Sequence, residues 1–497
     1  MKRDVDSSVF DLAISQTSDD ENGPYDKEQP KKSEELIDFD GPNDPEHPQN
    51  WSLLARIWAT FMLAMFNLVV AIASSIFGSA QTKVAGEFRA SEEVTVLGTS
   101  LYLVGYILGP LIFGPVSEKF GRKYPMIVGV TVSGLFTLMP ALGKNLAVIF
   151  LGRFLAALFG VAPIAVLGGV ITDCWDAVYR GVATACCICL VFSGPTFGPL
   201  IGGFIVAGLD GWRWTMWVCV IATLSISLLA VFTYPETYPP RILQKKTQRL
   251  REETGNKTLA CALDIEETSF RYLARIYLIR PWALFFTEPI LVLITLYQAF
   301  IYGLMFLFYQ SFPIAFGKVR GWKTGISSLP FLSILVGVVF GTGVVVLYTE
   351  LYVKRKVAEY GKFQPELRLP IMILGGCLVP VGLLWYGWTS KSTIPWPSEV
   401  CSGLLIGCGM YIIFIQSFAY IVDCYPDRAN SAMAANGAVR SVFGASFPLF
   451  ARYMFEDLGV NWASTLLGII CIVMAPVPVI FWRYGAQIRT RPKVGEH

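Results

Sequence analysis

The chain offers little of the chemistry that enzymes use. Its only two histidines, His47 and His497, lie in terminal segments. That removes imidazole acid–base, nucleophilic and metal chemistry from the interior. The 11 cysteines are scattered, and Cys174, Cys186, Cys187, Cys189, Cys219, Cys408 and Cys471 fall in apolar runs. Their spacing resembles neither a metal site nor a secreted disulfide framework, so they read as small buried hydrophobes. There is no phosphate-cradling glycine loop ending in Lys-Ser/Thr and no nucleophile elbow. The sequence thus predicts no enzyme, no cofactor, no metal and no nucleic-acid partner. What remains is a set of isolated charges in apolar surroundings: Arg153, Glu288 and Arg440, Asp173 and Asp423 at the ends of apolar runs, and the charged turn from Gly114 to Lys123. Such groups can pair in one conformation and release in another, or gain and lose a proton.

The turn reads Gly-Pro-Val-Ser-Glu-Lys-Phe-Gly-Arg-Lys. Gly114 and Gly121 permit close backbone approach or positive φ. Glu118 lies between Lys119 and Arg122, so an acid and a guanidinium are expected to pair within one turn. Arginine can hold a carboxylate through two parallel bonds, which lysine cannot. Between two membrane helices this turn becomes a conformational latch of Gly114, Glu118, Gly121, Arg122 and Lys123. For Arg153 and Arg440, capping of backbone carbonyls competes with coupling to substrate or proton. Glu288 is the leading protonatable carboxylate, against the rival reading of an acid favoured by a helix N-terminus. Asp173 and Asp423 are expected as partners for Arg122 and Arg428.

The elements that must position these groups follow from composition. Of 497 residues, 54% are hydrophobic and 15% charged, with mean hydropathy +0.52. A soluble domain carries about 25% charged residues, so this is a membrane composition. The net charge of +3 says little by itself. Apolar stretches near the ~20 residues that a bilayer requires begin and end near Leu53–Phe77, Val94–Phe113, Tyr124–Leu142, Leu146–Thr172, Gly181–Ala207, Trp214–Tyr234, Trp282–Phe312, Ile326–Tyr348, Leu369–Trp388, Val400–Val422, Asn430–Phe455 and Ala463–Trp482. The expected organisation is a disordered tail over residues 1–50, six helices over 51–234, a polar connector over 235–281, six helices over 282–484 and a tail over 485–497. Lys and Arg concentrate after even-numbered spans, in the connector and in the C-terminal tail, which places both termini in the cytosol. Two six-span halves suggest an internal repeat, with Glu350–Lys356 as a degraded partner of Gly114–Lys123. The run holding Gly194, Pro195, Gly198, Pro199, Gly202 and Gly203 predicts a bend or a tight helix interface.

Several stretches together resemble the major facilitator superfamily, in its fungal twelve-span drug:proton antiporter branch. Gly114–Lys123 resembles that superfamily's loop between spans two and three, with Glu118 where Asp is usual. Gly152-Arg153-Phe154-Leu155 resembles its span-four motif, and Gly194-Pro195 through Gly202-Gly203 its antiporter signature in span five. Tyr234-Pro235-Glu236-Thr237-Tyr238, Glu288-Pro289-Ile290, Tyr302-Gly303 and Gly459-Val460-Asn461-Trp462-Ala463 resemble further signatures of the branch. The resemblance implies an all-α integral membrane fold of twelve helices in two pseudo-symmetric six-helix bundles. It also implies a monomeric alternating-access carrier that exports small amphipathic compounds in exchange for protons across the plasma membrane, or alternatively the vacuolar membrane. Its partners would be that small molecule, protons and lipid. Span one carries no acid, only Asn67 as its notable polar residue, whereas some relatives place a proton-carrying carboxylate there. The expected cavity residues are Asn67, Phe192, Thr196, Tyr302, Tyr309, Gln310, Gln416, Asn436 and Phe443, whose aromatic surface and neutral polar handles suit an uncharged or aromatic ligand. A polyamine or other organic-cation exporter would want more acids in the spans. A non-transporting sensor would want a folded cytosolic domain larger than the connector allows.

Overall fold

The computed structural model describes residues 35–41, 43–176, 179–208, 211–256, 258–265, 279–361, 363–425 and 428–489. Most of the expected N-terminal tail, connector residues 266–278 and the C-terminal residues from 490 on, with Arg491 and Lys493, lie outside them.

Eleven helices among the described residues are long and apolar enough to cross a membrane. In chain order they are α1 (Leu53–Phe88), α2 (Glu92–Phe120), α3 (Lys123–Leu142), α4 (Leu146–Cys174), α5 (Arg180–Gly208), α6 (Arg213–Thr233), α7 (Pro289–Val319), α8 (Ile326–Tyr360), α9 (Pro365–Thr389), α10 (Trp396–Cys424) and, after one more, α12 (Gly459–Arg489). Between the last two runs α11 (Ala429–Asp457), equally long but more polar because it carries Asn430, Asn436 and Arg440. Side-chain caps start several of them. Ser52 accepts from the Ala55 amide, Ser91 from Val94 and Asn145 from Val148, each filling a donor the helix end leaves unpaired.

Packing repeats between the halves. In the first half α1 packs on α5, α2 on α4, α3 on α4 and α3 on α6. In the second α7 packs on α11, α8 on α10, α9 on α10 and α9 on α12. Adding six to each number converts the first set into the second. The halves meet along α2 with α11 and along α5 with α8, two contacts that the same operation exchanges. Phe232, Phe340 and Val473 are among many large apolar side chains left on the outside, as a lipid-facing surface requires.

Two departures from the expected spans have local causes. The seventh is not one helix from Trp282, because a short helix, Arg280–Thr287, ends at Glu288, whose backbone is extended at φ −106°, ψ 104°. Pro289 follows, and proline crowds the residue before it out of the helical region. The eighth continues past its apolar part to Tyr360, held by the Glu350–Lys354 and Lys356–Glu359 pairs. Glu350–Lys356 is therefore helix, at the end of α8 as Gly114–Phe120 is at the end of α2.

Among the described residues, a separate small unit joins residues 35–38 with residues 243–265. Within it Glu35–Leu36 pairs in parallel with Leu259–Ala260, and Arg251 bridges Asp264 at 2.9 Å.

Candidate functional site

The Gly114–Lys123 stretch is folded differently from the one-turn ion pair expected of it. α2 runs on to Phe120, so Gly114 and Glu118 are helical, and the chain reverses at Gly121, whose φ of 85° suits glycine. A Cβ on Gly121 would also lie 2.8 Å from the Glu236 carboxyl carbon. The helix turns Glu118 away from Arg122 and toward α11, where it accepts a hydrogen bond from Asn430 Nδ2 at 3.3 Å. Arg122 reaches α4 instead. Its Nε donates to Asp173 Oδ2 at 3.4 Å, its Nη1 to Ser117 Oγ at 2.9 Å, and the guanidinium lies over the Tyr238 ring at 4.6 Å. The backbone amides of Arg122 and Lys123 donate to the two Glu236 oxygens at 2.8 and 3.2 Å. Sequence reasoning quoted Glu236 in a motif but gave it no role. Its position directly after Pro235 was the available signal.

The second half builds the same device with other residues. Arg122 is the N-cap of α3 and Arg368 precedes the first turn of Leu369–Thr389, both at φ −83°. Asp173 is the penultimate residue of α4, and Asp423 that of α10. Arg368 Nε donates to Asp423, so the aspartate expected to pair with Arg428 is held by Arg368. The fold carries an Arg–Asp pair in each half at positions related by the repeat. Where Glu236 after α6 grips the first turn, Arg489 at the end of α12 grips Glu366 in the opening turn of α9, at 2.7 Å. The sign of charge is reversed.

Arg153 is buried, with 1% of its surface exposed. Its Nε, Nη1 and Nη2 donate to the carbonyls of Gly98, Ala73 and Ser74 at 3.0, 2.6 and 3.0 Å. Its guanidinium also lies over Tyr102 at 4.3 Å and Phe77 at 5.2 Å. The last two carbonyls stand where α1 tightens into a 3-10 turn at Ile76–Ala80. A charge at the bilayer centre costs about 2.5–3.5 kcal/mol on insertion scales, and each bond to a charged donor returns roughly 1.5–3 kcal/mol. Arg153 therefore clamps α1, α2 and α4 together, and its charge is offset in place.

The glycine run of α5 forms an interface. Cβ atoms on Gly194, Gly198 and Gly202 would lie 3.0 Å from Leu68 O, 2.8 Å from Ile76 N and 3.0 Å from Ile76 O respectively, all backbone of α1. The four-residue spacing places the three on one stripe. Gly203 points elsewhere, where its Cβ would meet Ser328 Cβ of α8 at 2.9 Å. Pro195 and Pro199 are buried between them, and Ser79 Oγ donates to Pro199 O at 3.2 Å.

A cavity of about 310 Å³ is walled by α2, α4, α5, α10 and α11. It extends from Tyr106 and Arg440 to Glu118, Arg122, Arg180 and Asn430, the end that holds the latch. At the far end the halves are bridged. Arg452 of α11 binds Glu92 of α2, and Gln310 Nε2 of α7 donates to Gln81 Oε1 of α1 at 2.8 Å.

None of the nine expected cavity residues lines this space. Asn67 donates to Leu63 O of its own helix at 2.8 Å. Phe192 packs on Tyr411 and Phe414, and Thr196 is buried. Tyr309 lies between Phe306 and Phe331. Gln416 is buried, and Phe443 packs on Phe447. Asn436 donates to Gln298 Oε1 at 2.7 Å and to Thr295 Oγ1 at 3.2 Å. Tyr302 comes nearest, through Arg440, whose guanidinium lies 5.0 Å from the ring centres of both Tyr302 and Phe414. Glu288, partly buried, accepts from the Tyr425 hydroxyl at 3.1 Å and stands outside the cavity wall. Among the cysteines, Cys186, Cys377 and Cys401 are exposed rather than buried. The described residues hold no cluster of three potential metal ligands.

The sequence pattern of the Major Facilitator Superfamily matches residues 63–448. The chain belongs to the Major Facilitator Superfamily. It is a membrane transporter and not an enzyme. The MFS-type transporter oryN of Aspergillus oryzae is 46% identical over 469 residues, 94% of this chain and 92% of that one. The citrinin biosynthesis cluster MFS transporter mrr1 of Monascus ruber is 43% identical over 455 residues, 91% of each. Among solved structures a D-xylose-proton symporter aligns with TM-score 0.62 over 87% of this chain and 98% of its own, at 16% identity, a likeness of fold alone. The twelve-helix arrangement expected from the sequence is that superfamily's fold.

Proposed function

We propose that this transporter exports a small amphipathic compound of the secondary-metabolite, toxin or drug class by alternating access, in exchange for protons. The observation that carries the reading is the asymmetry of the bundle. A ligand-sized cavity reaches from mid-bundle to the latch end, between helices of both halves, while Arg452–Glu92 and Gln310–Gln81 bridge the halves at the far end. That is the arrangement of a carrier loaded from one side. With the basic loops in the cytosol, the loading side is cytosolic and the direction is export across the plasma membrane, with both termini cytosolic. Relatives from metabolite biosynthesis clusters favour the substrate class. No nucleotide-binding loop occurs in the sequence, so a proton gradient is the proposed drive, with Glu288 as carrier. Three arginines and one glutamate in the cavity wall speak against a polyamine cargo.

The test is growth of a sensitive fungal host, with and without the chain, on a panel of amphipathic compounds. Efflux is then measured in proteoliposomes with and without an imposed pH difference. Resistance to at least one panel member, with uphill movement that collapses on adding a protonophore, is expected. Uptake in place of efflux would reverse the direction assigned here.

A further inference from the structure

Resting on the transporter reading, we infer that the cavity selects organic anions, with Arg440 as the residue that binds the carboxylate of an aromatic cargo. Two arginines of the bundle, Arg153 fully buried and Arg440 half-buried, differ in one decisive respect. Arg153 spends its donors on three carbonyls. Arg440 has no hydrogen-bond acceptor among the described residues, and its Nε is buried without a partner. It stands about 17 Å along α11 from Ala429, at 1.5 Å per residue, which is near the middle of a bilayer core. The Tyr302 and Phe414 rings at 5.0 Å stabilise the cation through their faces. An aromatic face satisfies charge without consuming N–H groups, so the donors stay available in the cavity wall that Arg440 helps to form.

The wall as a whole agrees. Its charged side chains are Arg122, Arg180, Arg440 and Glu118, a formal excess of two positive charges. Asp173 against Arg122 reduces the excess to one. Glu118, the single carboxylate of the wall, sits at the latch end against Asn430. Val161, Ile164, Ile171, Phe418 and Met433 line the same space. Field lines focused in a low-dielectric cleft favour entry of an anion, the apolar wall takes a ring system, and the guanidinium fork takes a carboxylate through two bonds. The ligand class is a planar or ring-bearing weak acid.

The full-length chain in phosphatidylcholine nanodiscs, probed with radiolabelled 2-naphthoate, tests this. Unlabelled 2-naphthoate should displace the label at about tenfold lower concentration than the neutral isostere 2-naphthamide, as a hydrogen bond to a charged group predicts. Arg440→Gln should erase that ratio and Arg440→Lys keep part of it. Should Arg440→Gln fail to give a monodisperse protein, the wild-type acid-to-amide ratio and Arg440→Lys decide. No naphthoate binding to the wild type, equal displacement by acid and amide, or an undiminished ratio in Arg440→Gln would each overturn the proposal. Repeating the assay with phosphatidylglycerol in the discs separates cargo from lipid. Loss of naphthoate binding there would assign Arg440 to an anionic headgroup and refute the cargo site. A wild-type chain that exports neutral panel compounds but ignores naphthoate would refute this inference and leave the transporter reading intact. Naphthoate discrimination with no export in the panel would do the reverse.

Discussion

Arg122 joins three parts of the chain through one side chain and one amide: Asp173 by charge, Ser117 by a neutral bond and Glu236 through the backbone. Its ion pair is largely enclosed, with 12% and 13% of the two side chains exposed, so it is screened less than a surface pair. Arg122→Ala should lower the transport rate of every substrate by about tenfold, the equivalent of roughly 1.4 kcal/mol, with the protein still reaching the membrane. A changed ranking of substrates across the panel would show that the latch contacts cargo. Glu288 belongs to the same scale. Glu288→Gln keeps the hydrogen bond from Tyr425 and removes the titration. Ligand exchange should persist while pH-driven uphill export stops. Were the variant still to build a substrate gradient that a protonophore dissipates, the carrier would lie elsewhere, with Asp173 and Asp423 next to be replaced. Asp173 was expected as a partner of Arg122, because both stand at the ends of apolar runs, and the two pair across 51 residues. The grip of Glu236 on the Arg122 amide, 114 residues away, was not legible, because nothing local marks it. Gly121 was legible because a turn with positive φ has a residue type.

At the scale of elements, the stripe of Gly194, Gly198 and Gly202 sets how closely α5 lies on α1. The gap at Gly198 closes on backbone, with Ile76 N at 2.8 Å and Ile72 O at 2.9 Å from an added Cβ. Backbone cannot rotate aside as a side chain can. Gly198→Leu should therefore separate the helices and abolish transport, with a lowered melting temperature in detergent. Full activity with leucine there would mean that the helices tolerate a wider spacing. The stripe was legible as glycine spacing, and so were the long helices, because span length follows from bilayer thickness. Which face of each helix borders the cavity was not. Membrane helices are apolar toward lipid and toward protein alike, so periodicity does not separate the two sides. The aromatic and amide residues expected in the cavity stand outside the wall of the space at the latch end, Asn67 bonding within its own helix and Phe192 packing on α10. The residues that line it include small and aliphatic ones, Gly168, Gly169, Ala165 and Ala434 among them, which no composition rule singles out.

At the scale of the whole molecule, the far-end bridges decide which side is open. Arg452–Glu92 is partly exposed, with 26% and 36% of the side chains accessible, and exposed pairs contribute about 0.2–1 kcal/mol. Arg452→Ala should shift the population toward a far-side opening by no more than about fivefold. The readout is labelling of a cysteine placed at Gln310 by a membrane-impermeant thiol reagent, faster in the variant than in its parent. Unchanged labelling would mean that helix packing holds that end by itself. The repeat was legible as two sets of six spans. Its geometry was not, because the matching Arg–Asp pairs sit in sequences that share little beyond Asp-Cys at 173–174 and 423–424.

The two latches also differ in how each meets the helix that closes its own half. The first is gripped by Glu236 through peptide amides, whose dipoles cannot be exchanged for free ions. The second is gripped by Arg489 on Glu366, charge on charge, with 29% and 12% of the side chains exposed. Dissolved electrolyte weakens attractions between accessible charges over a Debye length of about 8 Å at 0.15 M, and it leaves an amide held in a turn nearly untouched. Raising ionic strength on the latch side should therefore loosen the second half before the first, making the carrier's opening lopsided. Hydrogen exchange would register it as faster amide exchange around Glu366 than around Arg122 when potassium chloride is added.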